Sequence, residues 1–175
     1  IIQDIKAIGQ IAKENDICFF CDATQAAGKV PVDVLDNHID MLCLSAHKMN
    51  GPKGIGALYI KSGIKLTPLL HGGAQEKGMR GGTYNTPLIV GFGEAARIAF
   101  EEFDVLVNQM LKQREKWQAY FEDQGLGVVQ FNETSRAPHI LSVQVNTDAE
   151  DFLMMNATKF AASTGSACNA ALMEV

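Results

Sequence analysis

The spacing of apolar side chains changes twice along the 175-residue chain, and each change predicts a different kind of element. Ile5, Ile8, Ile11 and Ala12 recur at helical spacing, which predicts a helix over residues 4–15 with Asp4 as its N-cap and Asn15-Asp16 as its end. Residues 17–22 and 40–45 are nearly unbroken apolar runs, the pattern of strands covered on both faces. Residues 56–60 give a third strand before the turn Lys61-Ser62-Gly63. Helix then strand, repeated, predicts an α/β domain with a mostly parallel sheet and covering helices.

From residue 71 to 86 the chain is Gly-rich and has no period. Asn85 or Thr86 then caps a helix with Pro87 in its first turn, and Leu88, Val90, Gly91, Ala95, Ile98 and Ala99 supply its apolar face. Asp104 starts a second helical stretch through Met110, Leu111, Trp117 and Phe121, which Gly125 and Gly127 end. Strand-like runs follow at 128–131 and 140–145, the latter partly alternating. This change from α/β grammar to helix plus antiparallel strand places a domain boundary near residues 90–105. Residues 1–95 read as part of a large α/β domain, and 96–175 as a linking helix and part of a smaller α+β domain.

Composition narrows the function. With 47% hydrophobic and 20% charged residues the chain is an ordinary globular sequence. Its net charge of −5, with no run of Lys or Arg, argues against direct nucleic-acid binding. No apolar stretch reaches the ~18 residues that span a bilayer, so no membrane association is expected. Four cysteines do not make a disulfide framework. Cys18 and Cys21, three apart on a strand, would point to opposite faces and could not share a metal, so they read as buried small hydrophobes. Cys43 reads the same way, whereas Cys168 lies in a loop of small residues.

The candidate chemistry sits at two strand ends. Ser45-Ala46-His47-Lys48 follows the second apolar run and leads into Gly51-Pro52-Lys53-Gly54. Phe20-Cys21-Asp22-Ala23-Thr24-Gln25 ends the first. A Lys in a Gly-rich turn is ordinarily solvated, an Asp at a strand end ordinarily caps a turn, and a lone His is ordinarily structural. A Lys near another cation can, however, act as a neutral amine. A Lys and an Asp, each at a strand end, are what a pyridoxal phosphate (PLP) site requires, the Lys for attachment and the Asp to pair with the pyridinium nitrogen. In open α/β sheets, ligands bind at such carboxyl ends. Lys53 is the competing lysine, but it lies across the Gly/Pro turn.

The order of these segments resembles the cysteine desulfurase family of fold-type I PLP enzymes. The resemblance rests on residues 22–33 (DATQAAGKVPVD), 45–56 (SAHKMNGPKGIG), 71–83 (HGGAQEKGMRGGT) running into 89–95 (IVGFGEA), and 162–168 (ASTGSAC). It implies that Lys48 attaches PLP, Asp22 holds the ring nitrogen, Gln25 donates to the ring oxygen, and Ser45 and His47 donate to the phosphate. It also implies that the loop with Arg80 and Thr83 reaches across a homodimer interface to the partner's phosphate. Cys168 would take sulfur from L-cysteine as a persulfide and pass it to an acceptor protein. Iron–sulfur scaffolds, tRNA thiolation and DNA phosphorothioation are all served by this family. A cytoplasmic location goes with it.

Family members are much longer. The resemblance therefore also implies that residues 1–175 are an internal piece, lacking an N-terminal phosphate loop and stacking His and a C-terminal Arg for the substrate carboxylate. Three other readings stay open: a selenocysteine lyase on the same fold, a PLP aminotransferase with no need of Cys168, and a piece that only binds partners or is inert as supplied.

Overall fold

In the computed structural model, residues 1–129 and 135–164 are described. Helix α1 (Ile5–Glu14) begins where the sequence places it, because the Asp4 carboxylate accepts the Ala7 N–H at 3.0 Å. It lies close to the turn before the second strand: a Cβ added to Gly9 would sit 1.9 Å from the Asn37 carbonyl oxygen, so only a glycine allows that approach.

Three strands form the first sheet in the order β1 (Phe20–Asp22), β2 (Met41–Ser45), β3 (Gly56–Ile60). β1 and β2 are parallel, with Asp22 opposite Cys43. β2 and β3 are antiparallel, with Ser45 opposite Gly56. The α/β class thus holds with a mixed sheet. β3 departs from the helix-then-strand alternation because residues 46–55 hold only a short 3-10 helix (Ala46–Met49) and a turn. A parallel neighbour would need a crossover of a dozen or more residues. The core beneath the sheet is Ala23, Ile39 and Leu42, with Phe19, Val32, Val34 and Leu44 packed around it.

One expectation fails at β1. The run 17–22 does not form a strand along its whole length, and Cys18 is exposed rather than buried. Among the described residues β1 pairs only with β2, so it is an edge strand with one flank uncovered; Ile17 and Phe20 are exposed as well. Cys21 and Cys43, expected to be buried, are half-buried instead.

Asp40 ties the leading end of this sheet. Its carboxylate accepts the Phe19 N–H at 3.0 Å and the Lys61 ammonium at 2.8 Å, and its own N–H donates to the Phe19 carbonyl. The Lys61 bond, helped by the Phe19 N–H, holds the Asp40 carboxyl below the ordinary carboxylate range. Asp40→Ala in the full-length protein should lower stability by about 2 kcal/mol, the scale of a hydrogen bond to a charged group, read as a lower urea midpoint. Because the folded value is depressed, this contribution is whole above the unfolded value of about 3.9 and fades as pH falls through the folded one. The variant should therefore lose part of its acid sensitivity; an unchanged midpoint would refute the assignment.

Helix α2 (Thr86–Glu101) is capped by Asn85, which accepts the Leu88 N–H at 3.4 Å. Helix α3 (Phe103–Asp123) follows after one residue, and Gly125, with φ 60°, turns the chain out of it. A two-stranded antiparallel sheet, β4 (Gly127–Val129) and β5 (Val143–Val145), comes next. β5 starts later than the run 140–145 suggests, β4 begins one residue before the run 128–131, and residues 130–131 lie outside the described part. Helix α4 (Ala149–Asn156) is an element the apolar spacing did not predict. Its signal is a polar one: Asp148 accepts the Glu150 and Asp151 N–H groups, and those two carboxylates sit at the positive end of the helix. Trp117, Phe121, Phe152 and Phe160 pack as a ring cluster that joins α3 to α4.

Candidate active site

Because β1 and β2 are parallel, their carboxyl ends lie at the same end of the sheet, and Asp22 and the Lys48 turn both follow from that end. Asp22 is exposed there, yet its carboxyl is held below the ordinary range. The Thr24 hydroxyl contributes most, then the Thr24 N–H, which donates to it at 2.9 Å, and then the Cys43 thiol on the facing strand. It is a carboxylate with donors fixed on it, and it stays ionised throughout the neutral range.

Beyond β2 the 3-10 helix carries His47 and Lys48. Ser45 Oγ and His47 Nδ1 are 2.8 Å apart, so one of them always has a proton left to offer outward. Asn50 ends the helix in the left-handed conformation, with φ 60°, and its N–H returns to the Ala46 carbonyl. Helix α2 backs this turn at very short range. A Cβ on Gly51 would sit 3.0 Å from both the Ala46 oxygen and the Ala95 Cβ, and one on Gly91 would sit 2.8 Å from Pro52 Cγ. The turn is therefore seated on a helix. Lys48 is half-buried there, while Lys53 is exposed on the far side of the Gly51-Pro52 turn.

Gln25 and Thr83 are exposed, and among the described residues neither side chain bonds to another site residue. The loop that carries Thr83 is nevertheless ordered by its own contacts. Leu70 and Arg80 form a bridge, the Gly82 N–H donates to Gln75, and the Tyr84 hydroxyl accepts the Glu76 N–H. Cys168 lies outside the described residues.

Three groups at the site were not singled out by sequence reasoning. Cys43 is one, as a donor to Asp22. Burial, first of all, pushes the thiols of both Cys43 and Cys21 up, so neither is a ready nucleophile. Lys29 is the second: its ammonium donates to the Lys48 carbonyl at 2.6 Å. The only sequence signal for it is Gly28, whose φ of 72° turns the chain back beneath the strand end. The third is His139, whose two ring nitrogens are buried without a hydrogen-bond partner among the described residues. Burial pushes its imidazole down to about 4, and the charges of Lys29 and Lys48 push the same way. No periodic or motif signal marks it, because it comes from the second half of the chain.

Among the described residues there is no cluster able to hold a metal ion, and no helix is long and apolar enough to cross a membrane.

The chain as a whole is similar to known proteins. A cysteine desulfurase IscS of Methanosarcina thermophila is 46% identical over 182 residues, covering 99% of this chain and 43% of that protein. A NifS-like protein from Rickettsia africae superposes with a TM-score of 0.84 at 29% identity, over 95% of this chain and 47% of its own. A structure described as SspA in complex with cysteine gives 0.72 at 37% identity, over 98% and 48%. The chain thus spans less than half the length of the curated relatives it matches, and its fold is the fold-type I arrangement. The family model for class-V aminotransferases matches residues 1–175. From these matches, the chain belongs to the aminotransferase class-V family.

Proposed function

We propose that the full-length protein is a PLP-dependent cysteine desulfurase that converts L-cysteine to L-alanine. The observation that carries this reading is the shared sheet end: an Asp22 carboxylate kept ionised by Thr24 and Cys43, and a helix-backed turn bearing Ser45, His47 and Lys48. These donors fit the cofactor's chemistry, with an anion for a ring nitrogen, a hydroxyl and an imidazole for a phosphate, and a half-buried amine for an aldehyde.

When bound, PLP supplies an electron sink for charge that develops on the substrate carbon. Asp22 keeps a proton at the ring nitrogen, and Ser45 and His47 bind the phosphate. Gln25 donates to the ring oxygen. Lys48 is the attachment amine and, once released, moves the proton at the substrate carbon. Cys168 accepts the sulfur as a persulfide and hands it to an acceptor protein. The loop with Thr83 serves the partner's phosphate in a cytoplasmic homodimer. Residues 1–95 belong to the cofactor domain and 96–175 to the link and the smaller domain.

The test is Cys168→Ser in the full-length protein. PLP loading should be unchanged, and sulfide release from cysteine should fall to background, because a hydroxyl cannot replace a thiolate toward sulfur. Mass spectrometry after brief exposure of the unsubstituted enzyme to cysteine should find the added sulfur on the Cys168 peptide. Sulfur on Cys21 or Cys43, or full sulfide release by the variant, would refute the role. Good turnover of selenocysteine by the same variant would make the enzyme a selenocysteine lyase.

A further inference from the structure

We infer that Lys29 is a positioning residue for Lys48: its ammonium reaches across from the turn after β1, grips the Lys48 carbonyl, and fixes the point from which the Lys48 amine works. The inference rests on the reading of Lys48 as the cofactor attachment amine.

Four observations support it. The bond is short, 2.6 Å from Nζ to oxygen, and it joins residues nineteen apart. The turn that delivers it is pressed into place, since a Cβ on Gly28 would sit 3.0 Å from the Ala99 Cβ and 3.5 Å from Met49 Cγ. The clamp thus closes against both α2 and the lysine turn itself. The 3-10 helix is only four residues long and returns its cap N–H groups to Ala46. A carbonyl near its end depends on an outside donor, and a charged donor makes about twice as strong a bond as a neutral one. Finally, the ammonium is placed where its charge is disfavoured. Burial, and then the neighbouring Lys48 ammonium, hold the Lys29 amine below its ordinary value. A side chain wanted only for packing would not need that charge. His139, whose imidazole is buried and feels the charge of both lysines, is pushed down to about 4 and adds no third cation near neutrality.

Fixing the backbone matters because Lys48 must leave and return during each turnover. With its carbonyl held, only the side chain moves. A misplacement of about 1 Å at such a group is enough to cost roughly a hundredfold.

The experiment uses the full-length protein stripped of cofactor, with PLP as the probe. Covalent capture is followed by absorbance, then trapped with borohydride and mapped by peptide mass spectrometry. Hydrogen exchange over residues 46–51 is measured on the same samples. Lys29→Met should slow capture roughly tenfold and raise exchange in that segment, Lys29→Gln should fall between, and Lys29→Arg should recover most of both. Normal capture in Lys29→Met, or equal defects in the Met and Arg variants, would overturn the positioning role. If Lys29→Met does not fold, the Gln and Arg pair decides alone: Arg must outperform Gln. A label absent from Lys48 in the unsubstituted protein is the distinct signature of failure of the attachment reading, and the inference then falls with it.

Discussion

Lys48→Ala in the full-length protein should abolish covalent PLP capture and lower turnover on the order of a thousandfold or more. A removed attachment nucleophile costs a reaction far more than a removed binding contact. The competing lysine is Lys53, five residues on and equally charged. Two features separate them. Lys48 sits half-buried in the 3-10 helix, beside the Ser45–His47 pair and under the Lys29 clamp. Lys53 lies past the left-handed Asn50 and the Gly51-Pro52 turn, exposed to solvent. Borohydride reduction and peptide mapping distinguish the two directly. A pyridoxyl label on Lys53, or substantial turnover by Lys48→Ala, would end the assignment.

Asp22→Asn should keep much of its PLP and lose roughly a hundredfold or more in rate. The amide oxygen can still accept the Thr24 N–H, so the strand end keeps its shape. What disappears is the charge that keeps a proton on the ring nitrogen. Since the carboxyl lies below its ordinary range, its ionisation does not shape the rate profile anywhere near neutrality. Its contribution to stability is complete above the unfolded value of about 3.9 and is lost as pH falls through the folded one. The Asn variant should therefore differ from the parent in rate at every pH from 6 to 9 by about the same factor. Near-normal rates would reduce Asp22 to a cap for Thr24.

Asp22 and Lys48 were legible because strand-end chemistry is local. An apolar run, then one charged residue, then small residues, marks such a place without any knowledge of the sheet. The Asp4 and Asn85 caps were legible for the same reason. What sequence reading missed depends on partners distant along the chain. Cys18 belongs to an apolar run, but whether a run is covered depends on which strands flank it, and β1 is at an edge. The direction of β3 follows from what residues 46–55 can build rather than from its own pattern. Lys29 meets Lys48 only in the fold, and His139, far along the chain, comes under the charge of both lysines only there.

The antiparallel pairing of β2 with β3 has a consequence for how the protein comes together. The segment bearing Lys48 is closed at its base, where Ser45 faces Gly56 and the Ala46 N–H meets the Ile55 carbonyl at 3.2 Å. Such a ring can form from neighbouring residues alone, at low contact order. Asp22, by contrast, joins Cys43 only after the whole of residues 23–40 has been looped out. Loop closure of this kind is slower and carries the larger entropy cost. During folding, the amine end of the site is therefore expected to close first and the carboxylate end later, an order that phi-value measurements at Gly56 and Asp22 would check.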